Sequence, residues 1–296
     1  MKALDARRTW LALLGFVVVL VTGGGNATAD SSLATTANLG AAARSRATAL
    51  ATPSTLNGKI LDQQLNAQGQ GYTVIRVWGS PYEMGYAHAH LLGDYIVNGV
   101  NQTKAVLGTG AYEGMRQVMA QAVWMPSTIE NELDGMVDSL ASTHPEAAID
   151  KLALKVFNTL GDWAYACRSH MCWGRYVTAP IKTLATRRLD FGTLPDAYNH
   201  HMLCALDPND GSPRWLNLAI PGYVVVATGL NEYGTIVSSH DYQSQITDRA
   251  AGRMSRLVAF RHALTFATDP DVSTHLDTVF VELQNYEIMT ASFLNY

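Results

Sequence analysis

The chain has 296 residues, 48% of them hydrophobic and 16% charged, and a formal net charge of −4. That length and apolar content are enough to bury a real core and exclude a disordered, highly charged chain. There is no basic stripe, phosphate-binding Gly-rich loop, internal repeat or transmembrane array, so neither nucleic acid nor a cofactor or metal is expected.

In chain order, Lys2, Arg7 and Arg8 precede an apolar run from Trp10 to Val21, and Ala27-Thr28-Ala29 follows as a small-residue cleavage signature. Residues 1–29 therefore read as a secretory signal peptide, with an uncleaved anchor as the alternative. The apolar run is short for a membrane span. Residues 30–71, rich in Ala, Thr and Ser up to about Thr55, read as a leader or linker.

A strand is expected over Tyr72–Val77. Ser80 as N-cap, Pro81 at the first helical position and Glu83 three residues after the cap then form a capping box. Helices are expected from about Tyr82 to Thr159, including one capped by Ser127 with Glu130 three residues on, where Ile129, Leu133, Met136, Val137 and Leu140 fall at helical spacing. His88 and His90 lie two apart on the first helix and point to different faces, which argues against a metal site. Asn101-Gln-Thr matches a glycosylation sequon.

Strands are expected next over Cys167–Gly174, Lys182–Leu189, His201–Leu206, Trp215–Ala219, Tyr223–Thr228 and Thr235–Ser239. Asn231-Glu232-Tyr233-Gly234 supplies turn chemistry between the last two. Adjacent His200 and His201 should point to opposite sides of their strand. Trp163, Trp173 and Trp215 read as core residues. The order of elements suits an α+β protein with layered packing and largely antiparallel sheets. Three cysteines, Cys167, Cys172 and Cys204, fit one reactive thiol plus at most one disulfide.

Three blocks carry a resemblance. The first is Cys167-Arg168-Ser169, Trp173-Gly174 and Thr186-Arg187-Arg188-Leu189-Asp190-Phe191. The second is Pro221-Gly222-Tyr223 followed by Thr228-Gly229-Leu230-Asn231-Glu232-Tyr233-Gly234 and a strand ending at Ser239. The third is Gly79-Ser80-Pro81-Tyr82-Glu83-Met84-Gly85-Tyr86-Ala87-His88. Together they resemble the N-terminal-cysteine nucleophile (Ntn) hydrolases of the isopenicillin N acyltransferase, acid ceramidase and choloylglycine hydrolase type. The chain departs from the pattern at Arg168, where a small hydroxyl residue is usual, at Arg188, where asparagine is usual, and at His240-Asp241 in place of Asn-Glu.

The resemblance implies a four-layer αββα sandwich, with residues 72–166 as the α-chain part and 167–296 as the β-chain part. It also implies that the precursor cuts itself before Cys167 and that the two pieces stay associated. Relatives generally continue further, and this chain stops at Asn295-Tyr296 in what reads as a strand, so a C-terminally incomplete domain is expected. The expected activity is hydrolysis or transfer of an N-acyl group from a small-molecule or lipid-like substrate through a cysteine thioester. A phospholipase-B-like ester hydrolase and a secreted non-catalytic binding relative are the alternatives. The location implied is secreted or lysosomal/vacuolar.

The chemistry behind this expectation is direct. A cut before Cys167 would place a new α-amino group, of pKa about 8, beside its own thiol as the base. Asp190 would hold that amine, and Arg187 would favour the thiolate and orient Asp190. Asn231, Asp241 and Asn295 complete the candidate set, Asn231 and Asn295 as oxyanion donors and Asp241 by its position in the second block. Cys172 is the rival nucleophile. Two plainer readings stay open, Arg187 and Asp190 as a surface ion pair and Asn231 as a turn former.

Overall fold

The computed structural model describes residues 55–121, 123–163, 167–176, 178, 183–189, 199–238, 240–241, 253–266 and 292–293. The expected signal peptide, Asp190 and Asn295 lie outside them. Twelve strands appear among the described residues: β1 (Gly58–Leu65), β2 (Gly71–Gly79), β3 (Val123–Trp124), β4 (Cys167–Trp173), β5 (Thr183–Leu189), β6 (His200–Pro208), β7 (Trp215–Ala219), β8 (Thr228–Asn231), β9 (Ile236–Ser238), β10 (His240–Asp241), β11 (Arg253–Met254) and β12 (Ser292–Phe293). Four helices accompany them: α1 (Pro81–Gln121), α2 (Ser127–Thr143), α3 (Lys151–Thr159) and α4 (Arg256–Phe266). The protein is mixed α+β.

The main sheet has six strands in the order β1-β2-β6-β7-β8-β9. All neighbours are antiparallel except β2 and β6, which run parallel from Gly71↔His200 to Gly79↔Pro208. A parallel pair needs a long crossover, and α1, α2 and α3 lie within it. Strand periodicity puts Thr73, Ile75, Val77, Met202, Cys204, Leu206, Trp215 and Asn217 on one buried face. That face shares a single core with Met84, Leu92 and Ile96 of α1, Leu133, Met136 and Leu140 of α2, and Leu154 and Phe157 of α3. On the other face Val74, Leu203, Leu216, Leu218, Leu230 and Ile236 are half-buried.

The capping box forms as expected. Glu83 Oε2 accepts from the Ser80 backbone N–H and from its hydroxyl, each at 2.8 Å, and the Glu83 N–H donates back to Ser80 Oγ at 3.3 Å. α1 is interrupted at Leu92 and at Gly108, where φ of +70° suits a residue with no Cβ. Ser127 does not cap α2; it is the first helical residue, and Pro126 in the flanking position offers no side-chain acceptor. At α3 the cap is Asp150, whose Oδ1 accepts from the Ala153 N–H at 2.9 Å while both carboxylate oxygens receive Arg116 at 2.6 and 2.7 Å. Asn101 is exposed on α1, whereas Thr103 of the same sequon is buried with its hydroxyl on the Gly99 carbonyl.

Two further expectations are corrected. Part of the expected leader, Gly58–Leu65, is the edge strand β1, exposed along nearly its whole length and therefore without the apolar alternation that marks a strand. The strand expected over Tyr223–Thr228 begins only at Thr228, and residues 220–227 form a buried non-strand segment. No helix among the described residues is long and apolar enough to cross a membrane.

Candidate active site

Strands β4 and β5, both expected as strands, form an antiparallel pair in register from Cys167↔Leu189 to Trp173↔Thr183. Opposed residues of an antiparallel pair share a face, and every second residue along a strand returns to it. Positions 167, 169, 187 and 189 thus lie on one face, and positions 168, 172, 184 and 188 on the other. Arg187, opposite Ser169, shares the face of Cys167 and not that of Cys172. Arg168 and Arg188, two of the departures from the resembled pattern, oppose each other directly.

The strand bearing Asp241 also comes to this place. β10 pairs with β12 through His240↔Phe293 and Asp241↔Ser292, and it approaches β4 to within 8 Å between Cα atoms. Cys167, Arg187 and Asp241 therefore belong to neighbouring strands. Asp190 directly follows β5 in sequence and Asn295 lies two residues beyond β12; both fall outside the described residues.

Asn231 is fully buried and fully engaged. Its Oδ1 accepts from the Tyr233 and Thr235 N–H groups at 3.1 and 3.0 Å, and its Nδ2 donates to the Leu264 carbonyl at 3.0 Å. Those bonds close the β8–β9 turn and tie it to α4. The turn reading of Asn231 accounts for its burial, and no bond in this set points to an oxyanion role.

Cys204 is free and buried in the core-facing side of β6, where burial pushes its thiol well above the ordinary cysteine range. It is a small apolar filler rather than a nucleophile. His88 is buried and His90 exposed, on different faces of α1 as expected. His200 is buried, with its Nε2 2.9 Å from Thr73 Oγ1 and its ring stacked on Tyr95 at 3.7 Å; His201 faces the other side. Trp215 is core, as expected.

The polar residues that sequence reasoning missed are those that hold residues 220–227. Without a strand partner, the backbone of this buried segment must find other hydrogen bonds. Asn158 of α3 donates to the Gly222 carbonyl at 3.0 Å and accepts from the Val224 N–H at 2.8 Å. Asn217 of β7 donates to the carbonyls of Tyr223 and Val225 at 3.1 and 3.0 Å. Arg261 of α4 donates to the Val224 carbonyl at 2.5 Å, and the Gly222 N–H donates to His88 Nε2 at 3.1 Å.

His88 and the carboxylate paired with Arg261 are shifted by their surroundings. Burial alone pushes His88 down to about 4, so the ring is neutral and free to accept. Arg261 is ion-paired with the buried Glu132 at 2.6 Å and lies over the Trp215 ring at 5.1 Å. Burial raises the Glu132 carboxyl, and Arg261 opposes that rise. Gly222, at φ +90° against Phe157 and Ile96, has no room for a side chain. The Pro-Gly of the second sequence block thus marks a packing constraint.

No family model matches the chain, and no curated protein sequence matches it.

Proposed function

We propose that the protein is a self-processing N-terminal-cysteine amidohydrolase or acyltransferase, with Cys167 as nucleophile and base, Arg187 and Asp190 beside it, and an N-acyl compound as substrate. The observation that carries this reading is the β4–β5 register, which sets Arg187 on the face of Cys167 and leaves Cys172 on the opposite one. A fixed guanidinium next to a thiol favours its thiolate, and an α-amino group released at Cys167 would take the thiol proton. The thiolate would add to the amide carbonyl, and collapse of the tetrahedral oxyanion would expel the amine, which leaves with a proton from the α-ammonium group. Water or an acceptor amine would then cleave the thioester.

The four-layer sandwich belongs to the same proposal. Its support is the second face of the main sheet, a half-buried apolar surface of Val74, Leu203, Leu216, Leu218, Leu230 and Ile236, together with the approach of β10 to β4 outside that sheet. An apolar sheet face needs a covering layer, and a second sheet is one of the few stable solutions.

The test is intact mass and N-terminal sequencing of wild type and Cys167→Ala. The proposal expects a new N-terminus at Cys167 in wild type and one uncut chain in the variant. A folded wild type that stays uncut, or a cut that persists in Cys167→Ala, overturns it.

A further inference from the structure

A cleft of about 650 Å³ opens at the carboxyl ends of β2 and β6, the parallel pair of the main sheet, beside the first turn of α1. Crevices at the carboxyl ends of parallel strands are where open sheets with helices collect ligands. None of the lining residues belongs to β4, β5 or β10, so this place is separate from the candidate active site. Its rims are pinned by backbone bonds, Trp78 N–H to the Asn57 carbonyl and Asn209 N–H to the Gly79 carbonyl, each 3.0 Å.

Four charged residues line the cleft, Lys59, Arg76, Glu83 and Asp207, and each but Lys59 is engaged by a neighbour. Arg76 is joined to Asp207 at 2.5 Å and lies over the Trp78 ring at 5.7 Å. Glu83 is also in the lining and is engaged in the α1 cap. Hydrogen bonds from the Ser80 backbone N–H and hydroxyl, and from Asn57, hold its carboxyl below the ordinary range. Gly79, at φ +105°, makes room for this arrangement, since a Cβ there would come within 2.6 Å of Glu83 Oε2 and 2.7 Å of Asn57 Nδ2. Lys59 remains. It stands directly opposite Arg76 in the β1–β2 register and has no carboxylate partner among the described residues.

Two cations directly opposed across an antiparallel pair repel one another, and an anion between them removes that repulsion. The aromatic wall beside them adds an apolar surface that a bare inorganic ion would not use. We propose that this cleft binds a small organic anion, with its carboxylate or phosphate between Lys59 and Arg76 and its apolar part against Trp78.

The experiment is a ligand-observed NMR titration of the full chain with benzoate and phenyl phosphate, and with benzyl alcohol as the uncharged control. Wild type should bind both anions saturably and the alcohol much more weakly. Lys59→Gln should weaken both anions by about fivefold, the value of one screened ion pair, and Lys59→Arg should restore them. Added salt should weaken binding in wild type more than in Lys59→Gln. The ratio of the two anions tells whether a carboxylate or a phosphate ligand is preferred. Lys59 is exposed on the edge strand, so the variants fold, as an unchanged melting temperature will verify. Absence of saturable anion binding, equal binding of benzyl alcohol, or unaltered affinity in Lys59→Gln overturns the proposal.

Discussion

Gly85 and Gly135 are the points at which α1 and α2 touch backbone to backbone. A Cβ on Gly85 would run into the Glu132 carbonyl, and a Cβ on Gly135 would run into the Tyr82 carbonyl. The glycine of the third sequence block is therefore a helix-packing residue, and it lets the capped end of α1 lie flush against α2. Gly85→Ala and Gly135→Ala should each cost about 3 kcal/mol, because main chain and not a flexible side chain must give way. Urea denaturation measures this directly, and a change within experimental error for either variant would contradict the close approach.

The burial of His88 makes stability depend on pH. The ring is held at about 4 by burial and returns to about 6.5 on unfolding. Between those values the unfolded chain binds the extra proton, so stability rises with pH across this window and is lost as pH falls from 6.5 toward 4. The contribution is about 3 kcal/mol for a fully buried group. His88→Gln, which keeps an acceptor without the titration, should flatten the melting-temperature profile between pH 4 and 6.5. Profiles of equal slope in both proteins would show that another group is responsible.

Arg261 and Glu132 form a buried pair that also reaches the backbone of residue 224. Removing one partner strands the other, so Arg261→Met should cost about 3–5 kcal/mol. Adding Glu132→Gln should return part of that loss, because no buried anion then lacks its partner. Chemical denaturation of the two single variants and the double variant gives the coupling; additive losses would mean that the pair is not energetically linked.

Asn231 distinguishes a turn former from an oxyanion donor. Asn231→Ala leaves two backbone N–H groups and the Leu264 carbonyl without their partners and should cost about 2–3 kcal/mol. Asn231→Asp should be at least as damaging, since a carboxylate oxygen would then face the Leu264 carbonyl. Wild-type stability in both variants, accompanied by loss of processing, would restore Asn231 to the catalytic set.

What could be read in the sequence was local. Ser80, Pro81 and Glu83 announce their cap because all three act within one turn, and Asn231 to Gly234 announce the β8–β9 turn for the same reason. The β4 and β5 strands and the α+β class were legible in the order of elements. Residues 223–227 read as a strand because Val224-Val225-Val226 have the composition of one, while the hydrogen bonds of this segment go to Asn158, Asn217 and Arg261, which are scattered along the chain. β1 carries exposed Ile60, Leu61 and Leu65 with no alternation to show it, and the β2–β6 pairing joins segments that no local pattern links.

The parallel ladder between β2 and β6 has a mechanical meaning for a chain opened between Ala166 and Cys167. One new fragment would own β1, β2 and the three helices through α3, and the other would own β6 to β9 and α4. The centre of the main sheet would then be an intermolecular seam, stitched also by Thr73–His200, Arg76–Asp207, His88–Gly222 and Asn158–Val224. Such fragments would co-migrate on a sizing column and separate only in denaturant, so that a single band on a native gel would say nothing about whether the peptide bond is whole.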